Sequence, residues 1–282
     1  MPDCVTVTDT VPLPAGFSAH VANIGIKDGT TDFLVVASDV PAAAAAVFTR
    51  SRFAGPSVLL SREHVRDGRL RAALVVSKNA NVATGPQGAA NAAELAQGVG
   101  RALGCPPADV LVTSTGVIGR QYPMERIRAH LASLPGGPYP VTDARTAATA
   151  MMTTDTVPKF AEASVGGARI VGLAKGVGMI EPDMATMIAL IFTDAEIEPA
   201  ELDSMFRRVV DRTFNCVSVD TDTSTSDTAV ILASGAAGTV ADDAFETALH
   251  EVALSLTKQV ARDGEGAETL IEVTRSEEHT SE

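Results

Sequence analysis

Residues 174–192 read AKGVGMIEPDMATMIALIF. The second half, Met187–Phe192, is an unbroken apolar run, the pattern of a strand covered on both faces. A loop carrying Gly176 and Gly178 precedes it and closes on Pro182-Asp183, residues that favour turns. At the junction of loop and strand stands Ala185-Thr186. A small residue followed by Thr in that setting suits self-cleavage. The Thr hydroxyl attacks the preceding carbonyl, and scission leaves a free α-amine beside the hydroxyl to act as its general base. The same run starts as G-x-G, but Glu181 stands where a dinucleotide-binding loop needs its third glycine.

Working outward, Val35–Ala37, Ala73–Val76 and Val110–Thr113 are short β-branched runs bounded by turn residues and read as buried strands. Ala161–Ser164 and Arg169–Leu173 flank a Gly166-Gly167 turn and read as a hairpin. Val217–Val219, Ala229–Ala233 and Leu270–Val273 read as further strands. Helical spacing marks Ala89–Leu103, with Gly104 as C-cap, Pro123–Leu134, and Asp143–Met152 with Asp143 as N-cap. Pro199–Phe214 is amphipathic, with Leu202, Met205, Phe206, Val209 and Val210 on one face, and Asp243–Arg262 is a long helix. Strands and helices mix throughout, so the class is a layered α/β (α+β) sandwich. The expected division is a layered domain over 1–195 and a smaller α/β domain over 196–274.

The chain has 282 residues and is 45% hydrophobic, enough for a large core, yet no apolar run approaches the about 20 residues that span a bilayer. The 35 acidic against 22 basic residues leave a net charge of −13 without a basic cluster, which argues against nucleic acid as partner. Trp is absent and aromatics total 4%, so stacking platforms for bases are scarce. The N-terminus lacks a basic stretch followed by an apolar one, so no secretory signal is expected. Cys4, Cys105 and Cys216 are isolated, and no two of the five histidines are four apart. Neither a disulfide framework nor a metal site is expected, and a cytoplasmic location fits. Asp220–Asp227, DTDTSTSD, has Asp at alternate positions as a calcium loop does, but Thr225 and Ile231 stand where Gly and Glu belong. Its hydroxyls and carboxylates are expected to cap turns.

Two further segments bear on chemistry. Thr113–Gly119, TSTGVIG, follows a strand, and its Thr115-Gly116 pair offers a hydroxyl beside a backbone N–H, the two donors an oxyanion hole needs. Most such segments are only tight turns. Met151–Thr156, MMTTDT, clusters threonines at a helix end, where capping is the commoner role.

Together STGVIGRQYPM (114–124), MTTDT (152–156), AKGVGMIEPDMAT (174–186), DTDTSTSDT (220–228) and DGEGA (263–267) resemble, in this order, the ornithine acetyltransferase family. Its members act as bifunctional glutamate N-acetyltransferase and ornithine acetyltransferase. The likeness runs from about Phe17 to Thr274, and GRQYPME (119–125) is most similar to the paralogue of clavulanic-acid gene clusters. The resemblance implies an ornithine acetyltransferase / DmpA-like fold with an N-terminal Thr nucleophile. It implies autocleavage between Ala185 and Thr186, Thr186 as nucleophile, and Thr115 and Gly116 as the oxyanion pair. Thr153, Lys175, Thr186 and Glu265 match substrate-binding positions. It further implies acetyl transfer from N2-acetyl-L-ornithine to L-glutamate by a ping-pong route through acetyl-Thr186, with acetyl-coenzyme A as a further candidate donor. No cofactor and no metal are implied, and the α and β chains are expected to associate as a heterotetramer.

The residues themselves leave two other readings open. A threonine-nucleophile amidase or aminopeptidase uses the same groups with water as acceptor. A truncated, inactive fragment is the third. Family chains run further and end in additional substrate-binding residues, and the final octapeptide RSEEHTSE (275–282) reads as a translated sequencing adapter, so a non-native tail and an incomplete C-terminus are expected.

Overall fold

The computed structural model describes residues 10–181 and 187–274. The tail 275–282 and the Ala185–Thr186 junction lie outside the described residues. One eight-stranded sheet organises the chain. Its strands are β1 (Phe17–Ala22), β2 (Phe33–Phe48), β3 (Arg69–Val76), β4 (Val110–Ser114), β5 (Lys159–Val165), β6 (Ala168–Lys175), β7 (Ile188–Glu196) and β8 (Thr228–Thr239). They run in the order β4-β3-β2-β8-β7-β6-β5, and β1 pairs with the first half of β2. The β3–β4 and β7–β8 pairs are parallel and the others antiparallel. Strand β8 belongs to the 196–274 stretch but lies between β2 and β7 of the 1–195 stretch, so one sheet spans both.

The helices are α1 (Pro56–His64), α2 (Gly85–Leu103), α3 (Met124–Ser133), α4 (Ala144–Met151), α5 (Pro199–Arg212) and α6 (Asp242–Arg262). Odd-numbered positions of β2 face the helices on one side. Phe33 and Val35 pack with Leu95, Val99 and Ile127 of α2 and α3, and Ala43 and Ala45 join the cluster of Phe206 and Leu249 from α5 and α6. Even positions, Leu34 to Ala46, pack on the opposite face with Ala144, Ala147 and Met151 of α4. This alternation follows from the period of two along a strand. Helix α4 touches β1, β2, β5 and β6, so the sheet curls around it and the fold is a mixed α/β sandwich.

Several local expectations hold. Gly104 takes a φ of +68° at the end of α2, Asp143 Oδ1 accepts the Thr146 N–H at 2.8 Å to cap α4, and the five apolar residues named for α5 are all buried. Each fully buried aliphatic or aromatic side chain of this kind contributes about 1.5–3 kcal/mol. Two expected strands are corrected. Val217–Val219 follows a short 3-10 turn and makes one backbone bond, Val219 N–H to Ile180 O at 2.8 Å. Leu270–Val273 is irregular, with Ile271 and Val273 exposed, because among the described residues no strand pairs with it. Apolar β-branched composition without a partner makes no ladder. Strand β1, helix α1 and the second half of β2 are elements beyond those expected from the sequence. Among the described residues no helix is long and apolar enough to cross a membrane.

Candidate active site

Strand β4 ends at Ser114, and the chain turns at once through Thr115 and Gly116. Asn79, just past β3, bridges both Thr115 and Val117, and its amide donates to the carbonyls of Arg120 and Gln121. Gly116 has a φ of +130°, and a Cβ there would lie 2.2 Å from the carbonyl carbon of Lys78 and 2.5 Å from the nitrogen of Asn79. Only glycine fits so close an approach of two backbones. The Gly116 N–H donates to no group among the described residues. Thr115 Oγ1 accepts from Lys175 Nζ at 3.4 Å. A threonine hydroxyl and an N–H unengaged among the described residues thus stand side by side at the end of a strand.

Lys175 closes β6 and is buried. Burial pushes its ammonium below the usual lysine range, Lys159 adds to that, and Asp155 opposes it from 4.0 Å. Asp155, buried in the loop after α4, is the hub of this region. Its carboxylate accepts from Thr153 N at 2.9 Å, Gly176 N at 2.7 Å and Lys159 Nζ at 2.7 Å. Burial alone would raise the Asp155 carboxyl, but Lys175 and Lys159 outweigh it and hold it below the usual carboxylate range. Lys159, fully buried, also donates to Asp263 at 2.5 Å, and Asp263 accepts the Thr156 N–H at 3.0 Å. Buried charges persist when paired and hydrogen-bonded in this way. This ion-pair chain ties three blocks distant in sequence: residues 153–156, 175–176 and 263.

The carboxylate of Asp220 accepts the N–H groups of Met179 and Ile180, so DTDTSTSD does cap a turn, and the turn it caps is the Gly-rich loop. Glu265 N donates to Val177 O at 2.6 Å, and its Oε2 lies over Gly178, where a Cβ would come within 2.8 Å. Asp227 is buried. Its Oδ1 accepts the Met187 N–H at 2.8 Å, and its Oδ2 has no hydrogen-bond partner among the described residues. Burial pushes its carboxyl up to about 8, against the opposing pull of the Met187 N–H, Ser224 and Lys175.

A cavity of about 440 Å³ collects these elements. Thr115, Gly116, Thr153, Lys175 and Glu265, five site residues expected from the sequence, all line it. Ala185 and Thr186 lie outside the described residues, between Glu181 and Met187. Sequence reasoning did not single out Lys78 and Arg120, which also line the cavity, nor the supporting Asp155, Lys159, Asp263 and Asp227. A long-range ion pair leaves no periodic mark. The one local signal is that Asp155 lies inside the MTTDT block, where the sequence directs attention to the threonines alone.

The ArgJ family model matches residues 18–282. Over 271 residues the chain is 58% identical to the glutamate N-acetyltransferase Oat2 of Streptomyces clavuligerus, covering 95% of this chain and 68% of that protein. The crystal structure of ornithine acetyltransferase complexed with ornithine from Mycobacterium tuberculosis is 34% identical at a TM-score of 0.51, covering 60% of this chain and 92% of that one. A Burkholderia β-aminopeptidase, 16% identical, aligns at a TM-score of 0.52 over 88% of this chain and 83% of its own, a likeness of fold alone. On the family match and the identity to a relative covered over two thirds of its length, the chain belongs to the ArgJ family.

Proposed function

We propose that the chain is an acetyltransferase that moves the acetyl group of N2-acetyl-L-ornithine to L-glutamate through an acetyl ester on Thr186, after cleavage of the Ala185–Thr186 bond. The observation that carries this reading is the convergence of Thr115, Gly116, Thr153, Lys175 and Glu265, from four separate sequence blocks, on one cavity. The names of the Streptomyces relative and the Mycobacterium structure support the choice of amino acids.

In the first half-reaction the Thr186 hydroxyl adds to the acetyl carbonyl, and its proton passes to the α-amine freed by cleavage. The tetrahedral oxyanion meets the Thr115 hydroxyl and the Gly116 N–H, each such donor typically contributing a factor of ~10²–10³ in rate. The C–N bond then breaks, ornithine leaves with the proton, and the acetyl group remains as an ester. In the second half the amine of glutamate attacks the ester, and the Thr186 hydroxyl is restored. Lys175 pairs with the substrate carboxylate, Glu265 with the ornithine side-chain ammonium, and Thr153 contacts substrate beside them. Acetyl-coenzyme A, a thioester, enters the same first half as an alternative donor. Association of paired α and β chains as a heterotetramer belongs to the same reading.

The test uses the full chain and N-acetylornithine. Without glutamate, ornithine release should stop after one turnover per site. Adding glutamate should restore turnover and yield N-acetylglutamate. Continuous release that ignores glutamate would mean an amidase and overturn the reading.

A further inference from the structure

We propose that Lys78 selects the acceptor: its ammonium group receives the side-chain carboxylate of glutamate in the second half-reaction. The inference rests on the acetyl-transfer reading above and deepens it. In a ping-pong cycle one cavity holds two amino acids in turn. They share an α-carboxylate and differ at the far end, an ammonium in the donor and a carboxylate in the acceptor. Lys175 and Glu265 answer the shared carboxylate and the donor's ammonium. Neither answers the acceptor's second carboxylate.

Lys78 has the placement for that task. It follows β3, and its backbone is the surface against which Gly116 packs, with Lys78 O accepting the Val117 N–H at 3.4 Å. Its side chain therefore starts beside the oxyanion turn and lines the same cavity. Its φ is +73°, the left-handed region that L side chains rarely adopt. A lysine kept in a conformation that suits glycine points to a use for the side chain. The half-buried ammonium donates to Thr31 O and, at 3.0 Å, to Ser77 Oγ. An ammonium has three donors, so among the described residues one N–H is left for a ligand.

The surroundings leave Lys78 short of negative charge. Burial pushes its ammonium down, and Lys27 and Lys175 push it further, against Asp32 and Asp155. Both carboxylates are engaged elsewhere. Asp32 accepts the N–H groups of Ile24, Ile26 and Lys27, and Asp155 those of Thr153 and Gly176 together with Lys159. Lys27, Lys78, Arg120 and Lys175 line the cavity, and among the described residues Glu265 is the one carboxylate in its lining. A cationic cavity in a chain of net charge −13 is a place for an anion. Lys27 and Arg120 are exposed at its mouth, whereas Lys78 is partly desolvated and held by two acceptors, so its charge is the one already in position.

The experiment follows the two half-reactions separately in the full chain, with glutamate and glutamine compared as acceptors. Lys78→Gln should cut the preference for glutamate over glutamine by about 10- to 100-fold, the size of one charged hydrogen bond. The loss should fall on the acceptor step, with the ornithine burst retained. Lys78→Arg should keep most of the preference. Lys78→Gly, which suits the backbone angle, should fold and lose the preference as the Gln variant does. An unchanged glutamate-to-glutamine ratio in the Gln or Gly variant, beside an intact burst, would overturn this inference alone. So would an equal fall of both half-reactions, which marks a structural role. No burst in the unsubstituted chain would overturn the functional reading, and this inference with it.

Discussion

Thr115 stands 3.4 Å from the Lys175 ammonium with its hydroxyl at the cavity wall, and the neighbouring Gly116 N–H is unengaged among the described residues. An oxyanion exists only near the transition state, so its donors affect rate more than binding. Thr115→Ala is expected to lower kcat by ~10²-fold with little change in KM, measured by steady-state kinetics. A raised KM at constant kcat would make Thr115 a ground-state contact. Asp227 yields a second expectation. In the unfolded chain a carboxyl ionises near pH 4, whereas in the fold Asp227 keeps its proton to about 8. Folding therefore binds a proton within that window. The residue's contribution to stability is fully present below about pH 4, falls as the pH rises to about 8, and is level above. Asparagine accepts the same Met187 N–H without titrating. Asp227→Asn should be near neutral in Tm at pH 4 and stabilising at pH 8, by about 2–4 °C for each kcal/mol recovered in a chain of this size. Thermal unfolding at the two pH values checks this, and a gain that does not grow with pH would contradict it. Of the site, Thr115, Gly116, Thr153, Lys175 and Glu265 were legible because each lies in a recognisable block. Asp155 and Lys159 pair with each other only four positions apart, but Lys78, Asp155, Lys159 and Asp227 also act through partners 21 to 104 positions away, or through a backbone angle, and no local pattern encodes either.

At the scale of elements, amphipathic period and capping chemistry carried the reading furthest. The reading of α2 and α4 falls within a few residues of their observed bounds because apolar spacing and a cap agree, and that of α5 and α6 because of their apolar stripes. β2 was read only at Val35–Ala37, since its second half is the run Ala42–Ala46 and alanine has little strand preference. Those five alanines are buried, with Ala43–Ala46 paired to β8 and Ala42 to β3, where small size matters more than propensity. Val217–Val219 and Leu270–Val273 failed for the opposite reason: suitable composition, no partner. Close packing also decides a glycine in α2. Ala for Gly in a helix interior commonly stabilises by about 0.5–1 kcal/mol. At Gly100 a Cβ would lie 2.8 Å from the Cys105 carbonyl oxygen and 3.3 Å from the Pro107 nitrogen, both backbone atoms that cannot swing aside. Gly100→Ala should instead destabilise, by about 1–3 kcal/mol, read from the urea midpoint. A gain in stability would show that the chain after α2 yields easily.

Over the whole molecule, the proposed cut falls between strands that are neighbours. β6 ends at Lys175 and β7 begins at Ile188, and the two pair over six residues each inside the edge strand β5. β8, from the second piece, also pairs with β2 from the first, and their side chains share the clusters on both faces. Cleavage therefore severs one covalent bond and leaves the core whole. The two pieces should co-elute under native conditions and part only in denaturant; native separation would contradict this sheet. The nucleophile is the centre of the account, and one measurement reaches it directly. The full chain is incubated with N-acetylornithine in the absence of glutamate, quenched in acid, and its peptides are weighed. The expected result is a β chain that begins at Thr186, carries one added acetyl group on that residue, and loses it when glutamate is supplied. An acetyl group found on another residue, or turnover by a chain still intact at Ala185–Thr186, would contradict it.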